Sequence, residues 1–260
     1  MTKPAFRRML REVKDEKILV PFMRAALSKP TFTGFKVNVE GWSSRPYDGW
    51  FHPSTHADWT ARQLALYLLH GADMEESMPD LMFVLSVTQG SFWHEFVQRL
   101  LLDGGILLPN PGTTKRDSII KRAEIPIRDP EHNRTGHADG RLTDELFEFK
   151  SASERVIAKL QSVEDLKQYK PGYYTQIQDY LDVTGFLKAR YFVMQLSAPF
   201  AMAEFVVPAD PGFQMQQRAK YREAIEAVEA DELPDACCSI GSKEAKACPV
   251  AAFCPIGKAS

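Results

Sequence analysis

Between Gly136 and Lys150 the chain reads Gly-His-Ala-Asp-Gly-Arg-Leu-Thr-Asp-Glu-Leu-Phe-Glu-Phe-Lys. Asp139 comes a short turn ahead of a second carboxylate and a lysine, Glu148 and Lys150. The residues between them predict two short strands joined by the polar turn Thr143-Asp144-Glu145. Side chains alternate across a strand, so Leu146, Glu148 and Lys150 share one face. That face of the hairpin can carry two hard oxygen ligands and a cation. Paired carboxylates suit a divalent ion such as Mg²⁺, which prefers oxygen and keeps several waters. The lysine can orient an attacking water or stabilise charge that develops on a phosphate. Acid, acid and base at this spacing point to metal-assisted cleavage of a phosphodiester. A plainer reading stands beside it: Glu and Lys two residues apart on a strand also form a solvated face with a weak surface ion pair.

The elements that must position these groups follow from period and punctuation. Residues 4–28 read as a charged helix and 29–55 as loop and short extended structure. His56 to His70 has Ala61, Leu64, Ala65 and Leu68 at helical spacing, with Gly71 as a stop. A longer helix spans about 79–103, with an interruption expected at Gly90 and an end at Gly104-Gly105. Ala123 to Arg128 alternates as a strand, and Pro126 places it at a sheet edge. The hairpin follows, making a three-strand meander. Residues 154–168 return to helix with Ile157, Leu160, Val163 and Leu166 on one side, and a second helix covers 172–184. Strands Ala189–Leu196 and Met202–Val207 precede a helix over about 210–229. This order predicts an α/β fold class with a central mixed sheet flanked by helices. One domain is expected over residues 1–260, divided into a helical N-terminal region (1–78), a core (79–210) and a C-terminal helix with a cysteine-bearing tail (211–260).

Composition bounds the function. The chain has 260 residues, and 32 Lys and Arg against 34 Asp and Glu give a net charge of −2. A nucleic-acid partner must therefore be held by a local basic surface, not by a global field. Basic residues do concentrate, as Lys3, Arg7, Arg8, Arg11, Lys14 and Lys17, and again as Lys115, Arg116, Lys121, Arg122 and Arg128. In the first group Glu12, Asp15 and Glu16 are interspersed, as on a solvated helix face. No stretch reaches the roughly 18 apolar residues of a membrane span, and no apolar core of signal-peptide type follows the first basic residues. A soluble, cytoplasmic protein (host cytoplasm for a phage-encoded one) without a membrane partner is expected. All four cysteines lie between Cys237 and Cys254, which suits a local metal site or plain thiols better than a disulfide scaffold.

Three separated patterns then align. Gln89-Gly90-Ser91-Phe92-Trp93-His94-Glu95 sits upstream of the hairpin, the hairpin supplies Asp139 and Glu148-Phe149-Lys150, and Gln176-Ile177-Gln178-Asp179-Tyr180 follows. This order resembles the PD-(D/E)xK nuclease superfamily, in its RecB-like branch of CRISPR-associated and phage exonucleases. The motifs there run Gly-x-x-x-His, Asp, Glu-x-Lys and Gln-x-x-x-Tyr, and the resemblance covers roughly residues 50–210. It implies a restriction-endonuclease-like core in which His94, Asp139, Glu148 and the backbone carbonyl of Phe149 ligate Mg²⁺ or Mn²⁺. Lys150 would position the hydrolytic water. Gln176 and Tyr180 share one helix face and would brace Lys150 or the substrate backbone. His137, on the strand face of Asp139, is a weaker candidate to support a ligand from behind. Tyr173 and Tyr174 could stack bases of a single strand or simply pack. The name-giving proline is absent, since Ala138 precedes Asp139.

The tail departs further. Iron–sulfur members of the branch combine one early cysteine with a C-terminal cluster. Here Cys248 to Cys254 matches the closing Cys-x5-Cys, but Asp58 or Trp59 stands where the early cysteine falls. Cys237, Cys238, Cys248 and Cys254 still meet the ligand count of a [4Fe–4S] cluster, with zinc the competing occupant and free thiols the third option. The resemblance implies a divalent-metal-dependent DNA exonuclease acting on single strands or DNA ends. Its setting would be recombination, repair, phage DNA processing or CRISPR adaptation, with proteins of those systems as partners. The alternative is a nucleic-acid-binding assembly subunit with a nuclease fold and no turnover of its own. Oligomeric state is not legible.

Overall fold

The computed structural model describes residues 17–27, 46–74, 81–197 and 200–259. Residues 4–16 and 28 of the helix expected over 4–28, the basic residues Lys3, Arg7, Arg8, Arg11 and Lys14, and residues 29–45 of the loop expected over 29–55 lie outside the described residues. The first described helix, α1 (Leu19–Leu27), is followed by α2 (Pro53–His56), α3 (Ala61–His70) and the long α4 (Leu81–Asp103). Then come α5 (Ile119–Ala123) and the strands β1 (Ile125–Asp129), β2 (Arg134–Ala138), β3 (Gly140–Arg141) and β4 (Leu146–Ser151). Helices α6 (Glu154–Ile157), α7 (Val163–Tyr169) and α8 (Pro171–Thr184) lead to β5 (Lys188–Met194) and β6 (Met202–Pro208). The chain finishes with α9 (Pro211–Glu229), α10 (Lys243–Lys246) and α11 (Pro255–Lys258).

The main sheet runs β3-β4-β5-β6, with β4 and β5 parallel and the other pairs antiparallel. Parallel neighbours need a crossover, and α6 to α8 supply it. The sheet is mixed and flanked by helices, as expected. The meander is not: β1 and β2 form a ladder of their own, and the chain breaks register at Asp139 before β3 pairs with β4. That break lifts Asp139 out of the strand pattern. Pro126 sits in the two-stranded ladder opposite His137, where its missing N–H costs little.

Four boundaries differ from the sequence expectation, each for a local reason. The helix expected from His56 is two helices, because Thr60 and Gln63 form a capping box that starts α3 afresh. Gly90 does not interrupt α4; one exposed glycine costs a long helix only about 1 kcal/mol. Ala123 ends α5 and does not open β1. The helix expected over 154–168 is split, since the Ser162 hydroxyl accepts the N–H of Asp165 and caps α7. Helix α8 ends at Gly185, whose φ of 74° provides a left-handed cap.

Both faces of the sheet are covered. Leu146, Ala189, Tyr191 and Val193 pack against Tyr174, Ile177, Tyr180 and Leu181 of α8. Phe147, Phe149, Phe192 and Met194 point to the other face, against Val97 and Leu101 of α4 and Leu19 and Met23 of α1. Each buried phenylalanine contributes about 2–3 kcal/mol of transfer free energy, so β4 is the best-anchored strand that could carry polar groups. A third cluster joins Leu64 and Ala65 of α3 to Tyr221 and Ala224 of α9. At the N-terminus of α1 the N–H groups of Ile18, Leu19 and Val20 all donate to the Glu204 carboxylate on β6. Among the described residues no helix is long and apolar enough to cross a membrane.

Candidate active site

The polar face of β4 opens on a cleft of about 1100 Å³ lined by residues of α4, α5, β2 and α8. Glu148 is 2% exposed. It lies where parallel strands with both faces covered otherwise carry apolar side chains. Lys150 Nζ stands 2.7 Å from Glu148 Oε1. The same oxygen accepts a hydrogen bond from Gln176 Nε2 at 3.0 Å. Gln176 Nε2 also lies 3.1 Å from the Tyr180 hydroxyl, as their spacing on one helix face requires. That hydroxyl approaches Gly136 so closely that a Cβ there would meet it at 3.3 Å.

Asp139 sits at the register break. Its Oδ2 accepts the N–H of Phe149 at 2.8 Å, and its Oδ1 is 3.4 Å from His94 Nδ1 on α4. Gln98, one turn after His94, donates to the backbone carbonyl of Asp139 at 2.8 Å. His94, Asp139, Glu148, Phe149, Lys150, Gln176 and Tyr180 are thus brought together. His137 is exposed on the cleft wall. Lys150 Nζ lies 5.3 Å from the ring centroid of Tyr173, whereas Tyr174 is buried with its hydroxyl donating to Asp210 at 3.0 Å. Tyr174 is therefore a packing residue and not a stacking platform.

The electrostatics divide the carboxylates. Burial pushes Glu148 up to about 7; Lys150 opposes this and the Asp139 carboxylate adds to it. Burial acts the same way on Asp139, but His94, Lys150 and the Phe149 N–H together hold it below the usual carboxylate range. Burial also disfavours charge on Lys150, yet Glu148 and Asp139 keep it protonated more firmly than a free lysine.

Two residues of the cleft carry no sequence motif. Glu124, the last residue before β1, is pushed up to about 7 by burial and by the Asp139 carboxylate, with His94 and a hydrogen bond from Gln98 opposing. Gln98 could have been found from its place four residues after His94 on one helix face. Nothing in the sequence marked Glu124.

The donor set suits a hard divalent cation. Glu148 Oε2 is buried with no hydrogen-bond partner, and an unsatisfied buried acceptor is costly unless something outside the chain satisfies it. Among the described residues no three His, Cys, Asp or Glu side chains are gathered as a finished metal site. Glu148 Oε1 is instead engaged by Lys150 and Gln176, so a cation would draw on Oε2.

The four cysteines surround a second, small cavity of about 10 Å³ together with Arg62 and Gln63 of α3. Gln63 Nε2 is 3.4 Å from Cys248 Sγ. Burial raises the Cys254 thiol, but Arg62 and the backbone N–H groups of Gly257 and Ile256 outweigh it and hold the thiol low. Burial and the thiols of Cys237, Cys248 and Cys254 raise Cys238. Such a cavity admits about one water-sized body. The early segment thus meets the tail through Arg62 and Gln63, while Trp59 packs beside Cys248.

No protein-family model matches this sequence, and no curated protein does. Among solved structures the chain is similar to an alkaline exonuclease, LHK-Exo, from Laribacter hongkongensis. That match has 16% identity and a TM-score of 0.47 over 70% of this chain and 89% of the other. LHK-Exo in complex with dAMP matches at 15% identity and a TM-score of 0.46, over 71% and 90% of the two chains. SSO0001 matches at 14% identity and a TM-score of 0.40, over 92% and 95%.

Proposed function

We propose that this protein is a divalent-metal-dependent deoxyribonuclease that hydrolyses phosphodiester bonds from the ends of DNA, on single strands or frayed termini. The observation that carries this reading is Glu148: a buried carboxylate with one unpartnered oxygen, an ion pair to Lys150, and Asp139 close enough to repel it. A site whose only role was to fold would not retain that combination without a ligand. Asp139, Glu148, His94 and the Phe149 carbonyl would hold Mg²⁺ or Mn²⁺, ions at home with oxygen and imidazole donors. When bound, such an ion supplies Lewis-acid stabilisation of phosphate charge.

The chain's own residues do the rest. Lys150, held as an ammonium, orients a water in the cleft by donating to it and faces the charge that builds on the phosphate. As the water oxygen bonds to phosphorus it gives up a proton to bulk solvent, since Lys150 is already protonated. The bond to the departing sugar oxygen breaks, and that oxygen takes a proton from solvent. Gln176 fixes Glu148 Oε1, and Tyr180 fixes Gln176. Asp139 is aimed by the Phe149 N–H and by Gln98, so its placement depends on both sheet and helix.

For the tail we propose a thiolate-bound metal that pins residues 237–254 to α3. Four thiols satisfy a [4Fe–4S] cluster or tetrahedral zinc. The small cavity favours a single ion, because a four-iron cube would need the exposed Cys237 and its neighbour Cys238 to move outward.

Cleavage of end-labelled single- and double-stranded DNA by wild type and Lys150→Ala tests the main reading, with Mg²⁺, with Mn²⁺ and with chelator. Metal-dependent release of label by wild type alone is expected, and the labelled end gives the polarity. A folded, metal-loaded protein that binds DNA without cutting it would instead be an assembly subunit.

A further inference from the structure

We infer that Arg122, with Lys115 and Arg116, forms a phosphate-binding subsite on the α5 side of the cleft, separate from the carboxylates. The inference rests on the nuclease reading and specifies how the substrate strand is held. Arg122 is 7% exposed and lines the cleft. Its guanidinium makes no hydrogen bond or ion pair with any described residue. Elsewhere in the molecule buried arginines are saturated: Arg134 by three aspartates and Arg190 by Glu145 and Glu204. A guanidinium on the cleft wall with no partner among the described residues keeps its donors available, and its planar fork matches a phosphate bidentately.

The backbone behind Arg122 is fixed, so its side chain has not simply drifted from a partner. The Arg122 N–H donates to Ser118 at 3.0 Å, and its carbonyl accepts from the Asn110 N–H at 2.7 Å. The Asn110 side chain also donates to the carbonyls of Lys121 and Glu124 at 3.0 and 2.7 Å. The preceding loop is staked in the same way. Asp117 accepts from the Thr114 N–H and hydroxyl and pairs with Lys121 Nζ at 2.6 Å. The acid of this loop is thereby engaged within it. The side chains of Lys115 and Arg116 are left exposed on the cleft wall without a partner among the described residues.

The cleft wall thus carries both signs: Glu124 and Asp139 act on one another near His94, while Arg122, Lys115 and Arg116 come from α5 and the loop before it. A strand with one phosphate near the carboxylates would place a neighbouring phosphate on the basic side. Terminal phosphates and internal phosphodiesters share this chemistry, and the test separates them.

The test is binding of a fluorescent single-stranded oligonucleotide in chelator, where turnover cannot interfere, across a salt series. Arg122→Gln should weaken binding at least tenfold. The slope of log affinity on log salt should become shallower by about 0.7 per lost contact. Because Arg122 is buried, Lys115→Ala/Arg116→Ala is the parallel variant, changing only exposed side chains; its slope should fall by about 1.4. A loss confined to 5′-phosphorylated oligonucleotides assigns the subsite to a terminal phosphate, and an equal loss without that group assigns it to the backbone. Wild-type affinity and slope in both folded variants would overturn the subsite and leave the nuclease reading intact. A wild type that binds no oligonucleotide at any salt would overturn both.

Discussion

Two charge clusters meet along α8, one centred on Arg134 of β2 and one on Glu148 of β4, and they are built on opposite terms. Around Arg134 four hydrogen bonds engage three aspartates. Its guanidinium reaches Asp129 at 2.6 Å, Asp179 at 2.8 Å and Asp182 at 2.7 Å, and Tyr221 donates to the remaining oxygen of Asp179 at 2.7 Å. None of these groups lines the cleft. The Glu148 cluster contains fewer charges and leaves Glu148 Oε2 unpartnered, while Asp139, Lys150, Gln176 and Tyr180 around it line the cleft. Burial of charge is thus no mark of chemistry by itself. The mark is unused hydrogen-bonding capacity that a ligand can reach. The first cluster also serves the second, because Asp179 and Asp182 tie α8 to β2 and so hold Gln176 and Tyr180 at Glu148.

The contrast breaks most readily by substitution in each cluster. Lys150→Ala or Asp139→Ala should lower DNA cleavage by about a thousandfold or more, with little loss of thermal stability. Single-turnover rates and melting curves on the same samples check both halves; a stable variant with wild-type rates would remove Lys150 from its assigned part. Arg134→Met should do the reverse. It strands the buried Asp179 and the partly buried Asp129 and Asp182, and should cost about 3–5 kcal/mol of folding free energy in urea titrations. A loss below about 1 kcal/mol would mean the aspartates find other partners.

A finer test uses pH. The Glu148 carboxyl titrates at about 7 in the folded protein against an ordinary 4.5. Between those values the folded state binds more protons than the unfolded one, so metal-free stability should fall as pH rises from about 4.5 to 7. The expected size is on the order of 3 kcal/mol. Glu124 adds a change of the same sign. Glu148→Gln should flatten part of the slope, and saturating Mg²⁺ should flatten it by favouring the ionised form. A slope unaffected by either would show that Glu148 is ionised throughout. The smallest effect is expected at the tail, where Cys254→Ser should lower the melting temperature by a few degrees and leave cleavage intact. Metal analysis of anaerobically purified protein separates a brown iron-bearing form from a colourless zinc form, and a metal-free wild type would end the proposal for the tail.

Much of this was legible because it depended on local order. Helix α8 runs from Pro171 to Gly185 between two residues whose backbone preferences fix it. Glu148 and Lys150 share one strand face, so their proximity needed only strand periodicity. What escaped was set by distant partners. The register break after Ala138 depends on β2 finding β1 while β3 finds β4. Glu124 and Arg122 flank the end of α5 and acquire meaning only from the cleft they face. The split of 154–168 lay in a single serine cap, which a stripe of apolar residues concealed.

The clasp between Glu204 and the start of α1 bears on how the chain is made. Ile18 and Glu204 are 186 residues apart. At about 5–20 residues per second of synthesis, α1 waits roughly ten to forty seconds for its partner to leave the ribosome. Throughout that interval Leu19 and Met23, fully covered in the finished protein, lack the part of their cover that β5 and β6 supply. The first described helix of the chain is therefore among the last to be secured. The nascent protein should lean on chaperones that shield apolar segments, and a Glu204→Gln variant should extend that dependence.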